Sequence, residues 1–425
     1  MKSFFVAVFV ATSAFSQSID SMIDREMPAL LDTYKAFHVA PELSKHEEKT
    51  SATVAERLRA LGYTVTDHVG KYQTDDTCYG VIAMMKNGDG PVVLVRSDMD
   101  ALPVLEQTGL PYASKNANVM HACGHDIHMT TLLGTASMLA QMKNKWHGTV
   151  MLIGQPAEEV NQGASAMLRD RMYERFPRPN FVIALHDNAM MPAGQIGYCP
   201  GFFMANVDSV NITVRGLGGH GAVPQSAKDP IVTAAEIVLA LQTIVSRENS
   251  PLDPVVVTVG SIHGGAKRNV IPDQVELLLT VRTYKPEVRK RVLASIERIT
   301  RGIAMAAGIP EERAPIVEFV KSESGDATYN DPALTERLAR ALKRDMGANN
   351  VVQIDPLMVS EDFGYFGLDR QIPVTMLNVG AVNPAKIASG ARLPSLHSSE
   401  FAPVPEPTLR GAIKAMTLAV LELLP

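Results

Sequence analysis

Three short, nearly continuous apolar runs constrain most strongly what this chain can fold into. They occupy residues 92–95, 150–153 and 181–185, and a segment with helical spacing at 130–142 separates the first two. A strand that is apolar on both faces is typical of a parallel sheet that is covered by helices on both sides. The sequence therefore predicts an α/β fold built around a mostly parallel sheet.

The pattern changes over residues 201–317, where alternating and helical stretches follow one another in the order βαββα. This order favours a small α+β unit of the ferredoxin-like type. Helix and strand patterns resume at 332–346 and 374–379. We therefore predict a larger domain at 17–200 and 318–425, with a smaller domain at 201–317 inserted in it.

Residues 1–16 have the features of an export signal. Lys2 precedes an apolar run at 4–15, and a small-x-small cleavage pattern ends at Ser16. The alternative is an uncleaved anchor, although the run is shorter than the ~20 residues that span a bilayer. We expect a secreted or periplasmic protein with no membrane contact after cleavage, since no later stretch is expected to span.

The charge balance argues against nucleic acid as a partner. The chain has 40 Lys and Arg residues and 45 Asp and Glu residues, a formal net charge of −5, and no long run of like charges. It therefore lacks the basic surface that binds nucleic acid or an anionic membrane. A small-molecule partner fits this composition best.

The cysteine count excludes a fold built on disulfides. Only Cys78, Cys123 and Cys199 are present, too few for a disulfide framework even in the oxidising compartment that export implies. Cys78 and Cys199 could pair, but we expect both to be buried free thiols.

Polar residues follow each apolar run at the point where the strand should end. They are Asp98, Asp100, Glu158, Glu159 and His186. The carboxyl ends of parallel strands meet at one edge of an open sheet, and ligands bind there. We therefore expect acids and an imidazole from three strands to converge.

The densest set of metal-capable residues lies at 121–128, directly before a helical pattern. It contains His121, Cys123, His125, Asp126 and His128. Thiolate and imidazole together favour a borderline metal such as zinc over calcium or magnesium. The alternative is that the histidines cap the helix and that Cys123 is a small buried residue.

Glu158 and Glu159 are adjacent, so only one of them can readily point at a given metal. The other carboxylate is then free to take a proton from a metal-activated water and to deliver it to a leaving amine. The alternative is a solvated acidic turn.

A glycine pattern at 216–221 fits G-x-G-x-x-G in form but not in context. Pro224 and Pro230 interrupt the helix that should begin there. An exported oxidoreductase that binds a nicotinamide is therefore a weak alternative. The sequence also lacks a serine-hydrolase elbow, a phosphate loop and an H-E-x-x-H motif.

Six segments occur in the order that is typical of the M20 metallopeptidases. They are SDMDALP at 97–103, HACGHD at 121–126, PAEE at 156–159, LHD at 185–187, GH at 219–220 and RNVIP at 268–272. The chain resembles the M20D amidohydrolase branch, which includes hippurate hydrolases, N-acyl-amino-acid deacylases and auxin-conjugate hydrolases. The resemblance extends from about residue 38 to about residue 401.

This resemblance implies a site with two divalent metal ions. Zinc suits the ligands, and manganese, cobalt and nickel are alternatives. The five implied ligands are Cys123 as the bridge, His125, Glu159, His186 and His397. Glu158 matches the general base and acid, and Asp100 matches a carboxylate that supports the site from behind. What the match implies for Asp98 is open.

In this family the inserted domain is a lid that also forms a homodimer. His220 matches a histidine that stabilises the oxyanion in the partner's active site, and Asn269 and Arg282 resemble residues near the substrate's carboxylate or carbonyl. The alternatives are a plain loop histidine for His220 and a surface strand residue for Arg282. Gln162 and Gln225 depart from the family pattern, which leaves the fine substrate preference open.

The resemblance thus implies a hydrolase that cleaves the amide bond of N-acyl amino acids or short peptides with a free carboxylate, and the predicted signal implies that it is exported. A metal-bound hydroxide would attack the carbonyl, and Glu158 would move the proton. A secreted carboxypeptidase or dipeptidase on the same scaffold is the closest alternative. A binding protein that has lost catalysis is a more remote one.

Overall fold

The structure is a computed structural model that describes the backbone of residues 3–425 and the side chains of residues 19–425. The predicted signal peptide, residues 1–16, lies outside the residues with described side chains. The chain forms two compact units. Unit 1 comprises Met1–Gly201, Tyr329–Asp355 and Asp362–Pro425, and unit 2 comprises Phe202–Thr328 and Pro356–Glu361.

Helices and strands alternate along most of the chain. The helices are α1 (Ser3–Val39), α2 (Glu48–Ala60), α3 (His125–Gln141), α4 (Gly163–Arg169), α5 (Met172–Arg175), α6 (Pro230–Thr243), α7 (Pro286–Ala306), α8 (Pro332–Met346), α9 (Pro384–Ala388) and α10 (Pro405–Leu423). The strands are β1 (Thr64–Thr66), β2 (Val81–Asn87), β3 (Val92–Asp98), β4 (Gly148–Gln155), β5 (Phe181–Pro192), β6 (Ile196–Tyr198), β7 (Gly201–Met204), β8 (Val207–Arg215), β9 (Gly219–His220), β10 (Val255–Gly264), β11 (Val270–Ile271), β12 (Gln274–Thr283), β13 (Ile316–Gly325), β14 (Thr328–Asn330), β15 (Val351–Gln353) and β16 (Val374–Val382).

Eight strands of unit 1 form one mixed sheet, in the order β1-β2-β4-β3-β5-β16-β6-β15. The four central strands, β4-β3-β5-β16, are parallel to one another, whereas β1 and β2 run antiparallel to their neighbours. The three apolar runs are β3, β4 and β5, whose side chains are mostly buried. The predicted α/β fold with a mostly parallel sheet is confirmed.

Helix α3 lies inside the core of unit 1, where α1 and α10 pack against it. It begins at His125, earlier than the helical pattern predicted at 130–142. The first turn carries His125, Asp126 and His128, which interrupt the apolar periodicity although all three are buried. Polar side chains at the start of α3 therefore lie within the protein interior.

Unit 2 is the small α+β unit that the sequence predicts. Its antiparallel sheet has the order β10-β12-β8-β13, and α6 and α7 pack against it. Alternate residues of β8, Val210, Ile212 and Val214, contribute to a core that includes residues of both helices. This alternation explains why β8 is recognisable from the sequence.

Unit 2 ends later than the predicted boundary at residue 317. That residue lies inside β13, which pairs with β8 and continues to Gly325. Most side chains of β13 are exposed, so no apolar run marks its full length. The short segment Pro356–Glu361 also belongs to unit 2, and it has no strand or helix pattern of its own.

By length and composition alone, one described helical segment could cross a membrane. It is Pro230–Glu248, with a mean hydropathy of 1.3, and the expectation that no later stretch could span overlooks it. This is weak evidence, because the core helix of a soluble protein meets the same criterion. Ala234, Ile237 and Leu241 of this segment lie in the core of unit 2.

Candidate metal centre

The candidate site lies at the carboxyl ends of the central strands. β3 ends at Asp98 and β4 ends at Gln155, and these two residues are opposite each other in the parallel register. Glu158 and Glu159 follow β4, and His186 lies on β5. The edge of the sheet that the sequence indicates is therefore the edge at which these groups meet.

The structure brings all five predicted ligands into one cluster. Cys123 Sγ is 3.6 Å from His186 Nε2 and 3.3 Å from His397 Nε2. Glu159 Oε1 is 3.8 Å from His125 Nε2, and Glu159 Oε2 is 3.4 Å from His397 Nε2. Atoms that bind one cation at about 2.0–2.3 Å are roughly 3–4 Å apart, so these separations suit shared cations.

Hydrogen bonds fix the tautomers of two of these histidines. His125 Nδ1 donates to the carbonyl oxygen of Asp100 at 2.7 Å, and His186 Nδ1 donates to the carbonyl oxygen of Asp187 at 2.8 Å. A carbonyl oxygen only accepts, so the proton of each neutral ring is on Nδ1. The lone pair on each Nε2 is therefore directed at the cluster, as a metal ligand requires.

Gly124 allows Cys123 and His125 to approach the cluster from the same turn. Its φ is 74°, in the left-handed region that glycine adopts without strain. A Cβ at this position would also lie 2.4 Å from Asp187 Oδ2. Any other residue at position 124 would thus displace Asp187 or the turn.

Asp100 holds the two glutamates in place through their backbone. Its Oδ1 accepts from the N–H of Glu158 at 3.1 Å, and its Oδ2 accepts from the N–H of Glu159 at 3.0 Å. Ser44 Oγ donates to Oδ2 at 2.6 Å. The carbonyl oxygen of Asp100 also accepts from His125 Nδ1. Asp100 is therefore a buried support for His125, Glu158 and Glu159.

The backbone is left-handed at two non-glycine residues of the site. Ala157, which precedes Glu158, has a φ of 51°, and His397 has a φ of 65°. Each costs on the order of 1 kcal/mol unless the surroundings hold it. The N–H of His397 donates to the carbonyl of Ala122 at 2.8 Å, which ties this loop to the segment that carries Cys123.

The cluster has the electrostatics of a cation site. Burial raises the pKa of the Cys123 thiol well above its usual range, and the charges of Glu159 and Glu158 raise it further. Burial raises the pKa of Glu159 to about 7, although a proton on His125, which is present only when no metal is bound, opposes this rise. A divalent cation would compensate these acids, and its binding must release the thiol proton.

Two buried atoms of the cluster support this interpretation directly. His125 Nε2 and Glu159 Oε1 are buried and have no hydrogen-bond partner among the described residues. Buried polar atoms normally have a hydrogen-bond partner. Two metal-ligating atoms that lie 3.8 Å apart without such a partner therefore indicate a cation site. A cation fits both atoms, and the donor set of thiolate, imidazole and carboxylate suits zinc.

A second group of buried residues, which the sequence did not reveal as a set, lies behind the ligands. His128 Nε2 accepts from the N–H of Asp187 at 2.9 Å, and its Nδ1 therefore donates to Asp98 Oδ1 at 2.6 Å. Asp98 Oδ2 accepts from Arg96 at 2.6 Å and lies 3.7 Å from His125 Nε2. The spacing of His125 and His128 on one helix face was the available signal.

Two other residues of the 121–128 segment point elsewhere. His121 is buried, and neither of its ring nitrogens has a hydrogen-bond partner among the described residues. Burial lowers the pKa of His121 to about 4, so its ring is neutral. Asp126 Oδ2 is bonded to His38 Nδ1 at 2.7 Å. The segment thus contributes Cys123 and His125 to the cluster, whereas Asp126 and His128 make hydrogen bonds beside it.

In unit 2, the predicted residues His220 and Asn269 lie close together. β9 pairs with β11, which places His220 opposite Val270, and the N–H of Gly221 donates to the carbonyl of Asn269 at 2.9 Å. His220 is exposed, and its Nδ1 accepts from the N–H of Ala222. Its Nε2–H therefore remains as an outward donor.

Arg282 does not join these two residues. It lies at the far end of β12 from Gln274, about 26 Å along the strand at ~3.3 Å per residue. On the neighbouring strand β10, Val256 is paired with Arg282. Burial lowers the pKa of the Arg282 guanidinium. Arg282 is thus a partly buried strand residue, and its position near the substrate stays a prediction.

Cys78 and Cys199 are buried and form no disulfide among the described residues, as expected, and neither joins the cluster. Cys78 Sγ donates to the carbonyl of Val69 at 3.4 Å.

Comparison with known proteins agrees with the motifs and the geometry. A family model described as peptidase family M20/M25/M40 matches residues 94–420. The chain belongs to this family. The M20 assignment rests on most of the length of the chain and includes all five members of the cluster.

Two relatives in the M20 family have assigned activities. N-acetyl-L-cysteine deacetylase of Bacillus subtilis (strain 168) is 37% identical over 342 residues, which cover 79% of this chain and 77% of the relative. Hippurate hydrolase of Campylobacter jejuni is 37% identical over 349 residues, which cover 80% and 87%.

A solved structure shares the same architecture. The YXEP protein of Bacillus subtilis, a dinuclear metal-binding peptidase of the M20 family, matches with a TM-score of 0.74 and 28% identity. The match covers 96% of this chain and 100% of that one. The protein is thus a metal-dependent M20 hydrolase of amide bonds.

Proposed function

We propose that this M20 hydrolase cleaves the amide bond of N-acyl amino acids, or of short peptides, that carry a free carboxylate. The named activities of the two relatives, deacetylation of N-acetyl-cysteine and hydrolysis of hippurate, both concern N-acyl amino acids. The observation that carries the proposal is the position of Glu158, whose Oε2 lies 3.9 Å from His125 Nε2 at the edge of the ligand cluster.

The five clustered residues, Cys123 among them, would hold two divalent cations. Bound there, these ions supply polarisation of the substrate carbonyl and a lowered pKa for water, and zinc suits the donor set. Manganese, cobalt or nickel would serve the same donors. The chain itself directs the Nε2 lone pairs of His125 and His186 into the cluster through the hydrogen bonds of their Nδ1 atoms. It also places the Glu159 carboxylate beside His125.

Glu158 is the proposed general base and acid. It is buried, and Asp100 holds its backbone N–H, so its carboxylate stays beside the cluster rather than in solvent. It takes a proton from the attacking water and delivers this proton to the departing nitrogen. Its neighbour Glu159 is occupied as a ligand, which divides the two roles between adjacent residues.

His220 is the proposed donor to the oxyanion. Its outward Nε2–H is the kind of group that stabilises charge developing on a carbonyl oxygen, and such donors contribute about 3 kcal/mol in closed sites. Asn269, beside it, is the proposed contact for the substrate's carboxylate or carbonyl. We further propose that His220 acts in a second copy of the chain, within a homodimer formed through unit 2.

We also propose that the protein is exported and acts outside the cytoplasm. The support is the pattern of residues 1–16 alone. N-terminal sequencing of the protein recovered from the producing cells would start near Gln17 if this is correct, and at Met1 if it is not.

The direct test is Glu158→Gln, which keeps the shape of the side chain and removes its base. We expect kcat to fall by about 10²- to 10⁴-fold while the metal content stays at the wild-type value. The matched control is Glu174→Gln, which changes an exposed glutamate on α5 and should leave kcat unchanged. Near-normal turnover in folded, metal-loaded Glu158→Gln would refute the role.

A substrate panel separates the proposed activity from its nearest alternative. Hippurate, N-acetyl amino acids and dipeptides are compared with the purified mature protein, with and without a chelator, after its metal content has been measured. Faster cleavage of the N-acyl amino acids supports a deacylase, whereas faster cleavage of dipeptides supports the carboxypeptidase or dipeptidase alternative.

A further inference from the structure

The segment before α2 contacts the metal centre from behind. Ser44 donates to Asp100, and three residues later Glu47 lies fully buried at the start of α2. A glutamate at this position would ordinarily face solvent, where a helix N-terminus favours its charge. Burial of the Glu47 carboxyl therefore calls for a specific explanation.

The Glu47 carboxyl is bonded to the turn that carries the catalytic pair. Its Oε1 accepts from the N–H of Ala157 at 2.8 Å and from the N–H of Lys45 at 2.9 Å. It does not cap its own helix. The bond to Ala157 joins residues far apart in sequence, so it fixes the turn to the wall of the site.

Ala157 has an unfavourable backbone conformation in this turn. It has a left-handed φ of 51° and is fully buried, and Glu158 and Glu159 follow it directly. A residue with a Cβ keeps this conformation only where its surroundings hold it. The N–H that Glu47 binds belongs to that same residue.

We infer that Glu47 is a positioning residue, which holds the left-handed turn at Ala157 and thereby sets the directions of Glu158 and Glu159. Asp100 binds the two N–H groups that follow, so the backbone from 157 to 159 is held by two carboxyl groups in succession. This inference rests on the proposed function of Glu158 as base and of Glu159 as ligand.

The surroundings of Glu47 favour its uncharged form. Burial raises its pKa to about 8, and the charge of Asp100 contributes to the rise. Its Oε2 is buried with no partner among the described residues, and this is the atom that would carry the proton. An uncharged glutamine should therefore replace Glu47 with little loss, because it retains an acceptor oxygen for Ala157.

The experiment compares four proteins, namely the wild type, Glu47→Ala, Glu47→Gln and Glu42→Ala. Glu42 is the matched control, because its carboxylate accepts from Lys49 and Thr50 at the start of the same helix but does not contact Ala157. Each protein is measured for its melting temperature, for zinc affinity by competition with a chelator, and for kcat and KM on the best substrate of the panel.

For Glu47→Ala we expect kcat and zinc affinity each to fall by about 10- to 100-fold, with KM little changed. Glu47→Gln should stay within a few-fold of the wild type in both. Glu42→Ala should melt at a lower temperature and keep its kcat and zinc affinity. If Glu47→Ala does not fold, Glu47→Met takes its place, since it fills the same space without a carboxyl oxygen.

Two results would overturn the inference. One is a folded Glu47→Ala or Glu47→Met protein with wild-type kcat and zinc affinity. The other is a Glu47→Gln protein that is as impaired as Glu47→Ala. If the wild type hydrolyses nothing in the panel, the proposed function fails, and the zinc affinities still decide the role of Glu47 by themselves.

Discussion

Cys123 is the side chain on which the candidate centre depends most. It contacts both His186 and His397, and it is the one thiol in a cluster otherwise built from imidazole and carboxylate. Because burial and nearby carboxylates keep its pKa high, the thiol gives up its proton only to a bound cation. This makes position 123 a sensitive place to alter the metal affinity.

We expect Cys123→Ser to weaken zinc binding by more than about 10-fold, since a hydroxyl is a poorer ligand than a thiolate for this metal. Metal content after dialysis against a chelator measures the effect. The control is Cys199→Ser, which changes a buried thiol outside the cluster. Equal zinc retention in the two variants would show that Cys123 does not bind metal.

Most ligand candidates were predictable because they belong to short motifs, and the family resemblance predicted Asp100 as a support, but the supporting roles of Asp187 and Glu47 were not predicted. Asp187 and Glu47 sit next to predicted residues or in polar stretches that resemble solvated surface. Their roles come from bonds to backbone groups distant in sequence, such as the N–H of Ala157. Contacts of that kind depend on the packing of the whole unit and leave no local pattern.

The start of α3 is held by a charged histidine at the end of α1. His38 Nδ1 is 2.7 Å from Asp126 and its Nε2 is 3.2 Å from Glu106, and all three side chains are buried. Burial would lower the pKa of His38, but the bonds and charges of these acids raise it to about 9. Tyr34 and Tyr112 complete its surroundings.

This raised pKa predicts a pH-dependent stability. The ordinary pKa of histidine is about 6.5, so charged His38 stabilises the folded protein fully below that pH and loses this contribution as the pH rises through about 9. The contribution amounts to at most about 3 kcal/mol. In His38→Gln it is absent at every pH, so the difference in unfolding free energy between the two proteins should shrink as the pH rises.

Urea unfolding of both proteins, after a chelator has removed the metal, measures this difference through the fluorescence of Trp146. Trp146 is the only tryptophan and lies fully buried in unit 1, so the signal reports the unit that contains His38. If the difference in unfolding free energy between the two proteins stays constant from about pH 6 to about pH 10, His38 is uncharged in the folded protein.

Helices and strands were predictable to the extent that they carry an apolar period. The buried runs of β3, β4 and β5 are unmistakable, and α8 has the predicted bounds. The first turn of α3 and the last part of β13 were missed, since one is polar and buried and the other is exposed. Other parts of the protein bury the polar first turn of α3, whereas β13 stays exposed. In both elements the tertiary structure overrides the local sequence pattern.

As a whole, the chain returns to unit 1 twice after leaving it, so unit 2 is an insertion in two pieces. Unit 2 also exposes large apolar side chains. Leu239 is 73% exposed and Val232 is 56% exposed, both on α6. A homodimer formed through unit 2 would remove such groups from water, at about 25 cal/mol per Å² of apolar surface.

We therefore predict that sedimentation gives twice the mass of the mature chain, which is somewhat below the 46.0 kDa of the full sequence. Leu239→Glu should shift the population towards the monomer and lower kcat, because His220 would no longer reach a second site. Leu105→Glu, which changes an exposed leucine of unit 1, is the control and should remain dimeric. A wild type that sediments as a monomer, or a fully active monomeric variant, would contradict the shared site.

The position of His397, on a half-exposed loop close to the end of the chain, bears on how the enzyme matures. During most of its synthesis the polypeptide holds at most four of the five donors. The complete centre forms only after the last loop has been made and anchored to Ala122. A chain truncated before residue 397 would lack one of the five candidate ligands, so we expect it to bind metal more weakly than the full chain.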